Sequence, residues 1–208
     1  MSNHAYIYEA VRTPRSKGKK DGSLHEVKPI DLGAGLLREI QQRHDLDTSY
    51  VDDVVMGCVS PVGEQGSDVT KMIVQNADWD ESVGGVQLDR FCASGLEAIS
   101  MAVSKVRAGF GDIFIAGGIE SMSLLPMTGY KLAPSYQANL ENMNYHIGMG
   151  HTAEAVAEKY KITREASDKF SYESHLKAAN AIDNGYFKDQ IVPVTVEEVF
   201  VKDGKKIS

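Results

Sequence analysis

The stretch "DRFCASGLEAI" (residues 89–99) sets a cysteine between a bulky aromatic and a run of small residues, where a helical pattern begins. Two roles compete for Cys92. A free cysteine is most often a small buried hydrophobe. A cysteine at a helix N-terminus is instead a nucleophile, because free backbone N–H groups and the positive end of the helix dipole stabilise its thiolate. Ala93, Ser94 and Gly95 add little bulk, so an acyl group carried on a long arm could approach the backbone closely. The same N–H groups could hold an oxyanion as the carbonyl carbon becomes tetrahedral. Small residues also simply let a tight turn pack, and a lone cysteine has no identified base. The residues by themselves leave both readings open.

The elements that must position Cys92 follow from the pattern around it. Short β-branched runs alternate with helix-like segments through the first half, the signature of βαβ units and a mostly parallel sheet. "AYIYEAV" reads as a strand, and "PIDLGAGLLREIQQR" as a helix opened by Pro29, whose Gly33 and Gly35 suit close packing on a sheet. "VDDVVMGCVSP" reads as a strand, "EQGSDVTKMIVQNA" as a helix and "GGVQL" as a short strand. From Cys92 onward, Leu96, Ile99, Val103 and Val106 recur at helical spacing until Gly109 closes the run, and "GDIFIAGG" is a buried strand. This order places Cys92 at the carboxyl edge of the sheet, where α/β proteins build their sites.

Beyond Gly118 the segment 119–154 turns rich in Met, Asn, Tyr and Gly and reads as an irregular insertion near a site. A helix is expected to start near Thr152. A longer one follows Thr163 as N-cap, with Tyr172, Leu176, Ala179 and Ile182 as its stripe and Gly185 as its stop. "QIVPVTVEEVFVKDGKKIS" reads as strand and hairpin, turning at Asp203-Gly204.

Composition narrows the function. The 208 residues are 42% hydrophobic and 25% charged, ordinary for a globular chain of one domain and a fraction. A net charge of -7 argues against a nucleic-acid binder and leaves an anionic small molecule possible through a local positive site. Two cysteines, Cys58 and Cys92, in apolar or small-residue settings support neither a disulfide framework nor a cysteine zinc site, and point to a reducing compartment. With neither a secretory pattern nor a membrane-length apolar window, the chain is expected in the cytoplasm and off the membrane.

The segment "RFCASGLEAISMAVSKVRAGFGDIFIAGGIESMS" resembles the nucleophile region of the thiolases, the acetyl-CoA acyltransferase family. The resemblance extends to "EAVRTPRSKGKKDGSLHEVKPIDLGAGLL" and to "MGHTAEAVAEKYKITREASDKFSYESHLKAA", so it covers essentially the whole chain. It implies a thiolase-like α/β fold. The first α/β half, a mostly parallel mixed sheet with helices, would occupy residues 1–119, and residues 120–208 would be part of an inserted α+β loop domain that binds substrate. It also implies that Cys92 takes the acyl group as a thioester, in thiolysis of a 3-ketoacyl-CoA or the reverse condensation. Coenzyme A is then a co-substrate rather than a cofactor, and fatty-acid metabolism is the setting. The "RFCASG" form is more similar to degradative 3-ketoacyl-CoA thiolases than to the biosynthetic acetoacetyl-CoA type. Met149, in "GMGHTAE", matches the position that lines the pantetheine pocket, although loop methionines often just fill gaps.

Two departures from the family pattern stand out. Asp89 replaces the usual asparagine, and a negative charge aimed at Cys92 would disfavour a thiolate. The family's activating histidine, asparagine and second acid/base cysteine lie in C-terminal motifs that no segment here matches, Cys58 included. The chain is therefore expected to be the N-terminal portion of a thiolase, to turn over poorly alone, and to form a homodimer or higher homo-oligomer.

Other candidates carry less. His146 and His151 lack acidic or cysteine companions at ligand spacing, and His4, His25, His44 and His175 are scattered, so no metal is expected. The basic cluster Arg12, Arg15, Lys17, Lys19 and Lys20 suits a solvated loop. No phosphate-loop or dinucleotide motif occurs. Two alternatives stand beside the thiolase reading: a β-ketoacyl-synthase-like condensing enzyme, and a catalytically inactive acyl-CoA-binding fragment.

Overall fold

The computed structural model describes residues 4–125, 148–197, 200–202 and 205–207. Its contacts divide the chain into two units, Met1–Lys131 with Gln190–Ser208, and Leu132–Asp189.

The first unit is built on a three-stranded parallel sheet, β1 (Asp53–Gly57), β2 (Gly84–Leu88) and β3 (Phe114–Gly118), in the order β2-β1-β3. Val54, Val55 and Met56 are all buried, as a central strand covered on both faces requires. The register runs from Asp53 opposite Gly84 and Phe114 to Gly57 opposite Leu88 and Gly118, so the three strands end flush. Residues 58, 89 and 119 leave that carboxyl edge side by side.

Helix α1 (Pro29–His44) packs on α2 (Val69–Asn76), and α2 packs on β1 and β2. Helix α3 (Ser94–Ala108) packs on β1 and β3. One core joins Ala34 and Leu37 of α1, Val54 and Met56 of β1, and Val69, Ile73 and Val74 of α2 with Trp79 and Val83. Gly57 has opposite pleat parity to Val54 and Met56 and faces α3, so α2 and α3 lie on opposite faces of the sheet. Asp68 caps α2 by accepting from the N–H groups of Thr70 and Lys71 at 3.1 and 3.2 Å. Gly109 ends α3 at φ 76°, the left-handed conformation glycine takes without strain. An ion pair between Lys105 and Asp53 ties the body of α3 to the start of β1.

Two expectations change in this unit. "AYIYEAV" is not a strand: Tyr6, Ile7 and Tyr8 are exposed, and pairing is confined to a parallel bridge between Arg12 and Ile191. There the Arg12 N–H donates to the Gln190 carbonyl at 2.8 Å and the Val192 N–H to the Arg12 carbonyl at 2.9 Å. Alternation and aromatic content suit a residue to a pleated surface, but a ladder needs a neighbouring strand, and Pro193 next door has no N–H to give. In α1, Gly33 meets Ile73 of α2 rather than the sheet, and Gly35 meets nothing within 4 Å.

The second unit contains α4 (Met149–Tyr160) and α5 (Arg164–Asp183). α4 begins three residues before Thr152, because extended Gly148 is its N-cap and the Thr152 N–H closes the first turn on the Gly148 carbonyl. Thr163 caps α5 by accepting from the Ala166 N–H at 3.2 Å, and Gly185 follows at φ 69°. The stripe of Tyr172, Leu176, Ala179 and Ile182 is exposed.

β4 (Phe200–Lys202) and β5 (Lys205–Ile207) pair antiparallel with Lys202 opposite Lys205. The expected turn at Asp203-Gly204 lies outside the described residues, as do His146 and residues 126–147 of the expected insertion. Among the described residues, no helix is long and apolar enough to cross a membrane.

Candidate active site

Cys92 is exposed on the turn that leaves β2 and enters α3, two residues ahead of the first helical residue. The turn is held by its own side chains. Asp89 Oδ1 accepts from the Phe91 N–H at 2.8 Å, the bond an asparagine oxygen would also accept, so the carboxylate has a local turn role. Ser94 is buried, its hydroxyl donating to the Phe91 carbonyl at 2.6 Å and accepting from the Arg90 N–H at 2.8 Å. Phe91 sits at φ 49°, a left-handed backbone unusual for an aromatic, which turns the chain sharply just before Cys92. Arg90 pairs with Glu97 at 3.2 Å across the first helical turn.

The backbone amides divide into two sets. Those of Ala93 and Ser94 donate to the carbonyls of Arg90 and Phe91 at 3.1 and 3.0 Å and build the turn itself. The N-cap residue, Ala93, offers no side-chain acceptor, so no cap engages the following first-turn amides of Gly95 and Leu96. With the helix dipole they form the positive end beside Cys92.

Beneath the turn, Gly57 closes β1 against α3. A Cβ on Gly57 would lie 2.6 Å from both Ser94 C and Ser94 Cβ, so glycine is what lets the helix that follows Cys92 seat directly on the central strand. The Gly57 carbonyl accepts from the Ile119 N–H at 2.9 Å, and the Cys58 N–H donates to the Leu88 carbonyl at 2.9 Å.

Cys58 has the opposite character to Cys92. It is 1% exposed, and its thiol is pushed up to about 11 by burial first and by the charge on Glu120 second. Such a thiol stays protonated and unreactive at neutral pH.

Gln65 and Glu120, which were not singled out in the sequence, bind the loops behind the turn. Gln65 is fully buried at the end of a short helical turn (Gly63–Gln65). Its Nε2 donates to the Ser60 carbonyl and to Glu120 Oε1, both at 3.0 Å, and its Oε1 accepts from the Ser121 N–H at 2.6 Å. Glu120 Oε2 accepts from the Val59 N–H at 2.7 Å. The available signal was a glutamine between Glu64 and Gly66, and a glutamate two residues after a strand ending in two glycines.

Met149 is the first residue of α4 in the second unit and is 71% exposed. His151 lies on the same helix. Among the described residues, no group of three or more His, Cys, Asp or Glu side chains gathers as a metal centre. In the basic cluster, Lys17 pairs with Asp21 at the surface and Arg12 Nε donates to Gln190 Oε1 at 3.1 Å.

Residues 5–207 match the family model for the N-terminal domain of thiolase. The chain is 42% identical over 192 residues to a 3-ketoacyl-CoA thiolase of Bacillus subtilis, covering 92% of this chain and 49% of that protein. It is 37% identical over 210 residues to a 3-oxoadipyl-CoA/3-oxo-5,6-dehydrosuberyl-CoA thiolase of Escherichia coli, covering 93% and 52%. The solved acetyl-CoA acetyltransferase of Bacillus anthracis superposes with a TM-score of 0.76 at 32% identity, covering 95% of this chain and 51% of that one. The chain thus spans about half the length of the relatives it matches.

Proposed function

The chain belongs to the thiolase family, and on that premise we propose that it carries the acyl-accepting half of an acyl-CoA acyltransferase, with Cys92 as nucleophile. The observation that supports this reading above the others is the exposed Cys92 on a left-handed turn at the sheet's carboxyl edge, beside the uncapped start of α3.

In the degradative direction the Cys92 thiolate attacks the 3-keto carbon of a 3-ketoacyl-CoA. The bond between C2 and C3 breaks, its electron pair leaves with C2, and a proton captured there gives acetyl-CoA. The remaining acyl group is a thioester on Cys92. The thiol of a second coenzyme A attacks that thioester, releases the shortened acyl-CoA and returns the electron pair to the Cys92 sulfur. The first-turn amides of Gly95 and Leu96 are suited to the oxyanion of each tetrahedral stage. Met149, at the exposed start of α4, is proposed to contact the pantetheine arm. The exposed Leu96, Ile99 and Phe110 support association of the chain as a homo-oligomer.

The test is the intact mass of the chain after incubation with acetyl-CoA, beside Cys92→Ser. One acetyl adduct on the native chain and none on the variant is the expected result. A folded native chain that takes no acetyl overturns the reading, as does an adduct that survives in Cys92→Ser.

A further inference from the structure

We propose that Gln65 is a positioning residue for Cys92, fixing through the loop after β1 the surface on which the nucleophile's turn rests. The inference rests on the reading of Cys92 as the reactive thiol and deepens it.

A buried primary amide is tolerated only where its donors and acceptor are matched. Gln65 meets that condition with partners drawn entirely from the two loops leaving the carboxyl edge. Its Nε2 reaches Ser60 behind β1 and Glu120 behind β3, with Cys58 Sγ at 3.4 Å, while its Oε1 holds the Ser121 N–H. Glu120 closes the ring by accepting from the Val59 N–H. An apolar side chain of similar volume would fill this space without any partners. The polar choice therefore points to loop geometry rather than to core filling.

The stapled segment is what the nucleophile turn stands on. Gly57 lies against Ser94 and Gly95, and the Cys58 N–H holds the Leu88 carbonyl one residue before Asp89. Asp89 in turn holds the Phe91 N–H, and Cys92 follows. Displacement of residues 57–60 is thus passed to Cys92 by two routes, beneath the helix and along the end of β2. A continuous chain of packed backbone and hydrogen bonds is the kind of path by which a distant side chain sets geometry.

The test reads Cys92 chemistry separately from stability, using the full chain. Gln65→Met keeps the volume and removes every strong bond, and folding is checked by circular dichroism and the urea midpoint. The rate of Cys92 alkylation by iodoacetamide is followed against pH, and acetyl capture from acetyl-CoA is measured in parallel. The expected result is a roughly tenfold slower alkylation, because the reactivity of a thiol depends on the dipoles and charges placed beside its sulfur. Acetyl capture falls in proportion. Gln65→Glu puts a carboxylate oxygen where Nε2 donates to the Ser60 carbonyl and to Glu120, and should slow alkylation at least as much as Gln65→Met. A Gln65→Met protein with a lowered urea midpoint but an unchanged Cys92 profile makes Gln65 purely structural and overturns the proposal. If Gln65→Met does not fold, Gln65→Asn, which keeps the amide but draws it back by one methylene from Ser60, Glu120 and Ser121, carries the comparison, and an unchanged profile there is the overturning result. Native chain that alkylates at Cys92 yet takes no acetyl refutes the acyl-acceptor reading, while the dependence of alkylation on Gln65 still decides this one.

Discussion

Replacing Gly57 by alanine tests the seat of the Cys92 turn directly. The new Cβ would lie 2.6 Å from Ser94 C and Ser94 Cβ and 2.9 Å from Gly95 N, whereas ordinary contact begins at 3.4 Å, so 3.4 minus 2.6, or about 0.8 Å, must be found. The neighbours nearest the new atom are Ser94 and Gly95, whose backbone cannot swing aside like the end of a long side chain. Gly57 cannot retreat, because β1 is the middle strand and the Gly57 carbonyl is bonded to Ile119. The start of α3 must therefore rise. Overpacking of this kind costs about 1–3 kcal/mol. A displacement approaching 1 Å of a reacting group lowers its rate by a factor on the order of tens to a hundred. Urea unfolding of Gly57→Ala gives the first quantity, and the rate of acetyl capture by Cys92, followed by intact mass, gives the second. A variant within about 0.5 kcal/mol of the native chain would refute the close approach. A destabilised variant with unchanged Cys92 rate would refute the claim that Gly57 sets the height of the turn.

Two further outcomes follow from the same packing. Gly35→Ala, which adds a Cβ with nothing within 4 Å, should stabilise α1 by about 0.5–1 kcal/mol, whereas Gly33→Ala, at 2.5 Å from Ile73 Cδ1, should lose that gain; thermal unfolding that ranks them equally refutes the assignment. The Cys58 thiol is raised from 9.0 to about 11, so the folded chain keeps a proton that the unfolded chain releases. Stability from this site is fully present below pH 9.0 and declines between 9.0 and about 11. The slope is at most about 1.4 kcal/mol per pH unit. Cys58→Ala should flatten that window relative to the native chain in urea titrations, and two parallel curves refute the linkage.

The parts of the fold that were legible in the sequence are those whose signal is local. β1, β2 and β3 lie within the apolar runs read as strands, α2 and α3 within the expected helices, and Gly109 ends α3. Period and turn chemistry act over a few residues, so the chain carries that information at short range. The position of Cys92 was also legible, because a strand, a turn and a helix in a parallel sheet put the turn at the carboxyl edge wherever the strand lies. Its reactive reading came from resemblance and not from the residues alone.

What the local pattern missed depends on partners distant in the chain. Tyr6, Ile7 and Tyr8 have strand composition but no ladder neighbour, and the stripe on α5 has helical period yet stays exposed. Gly33 was rightly read as a close-packing glycine, but only the tertiary structure chose Ile73 as its neighbour. Gln65 meets Glu120 and Ser121, 55 and 56 residues away, and no feature of "EQG" tells that its amide will be fully buried. The sequence by itself determined the elements and the edge at which Cys92 sits. The tertiary structure decided what holds that edge in place, because a buried hydrogen bond or a sub-ångström contact exists only once two separate segments have been packed against each other.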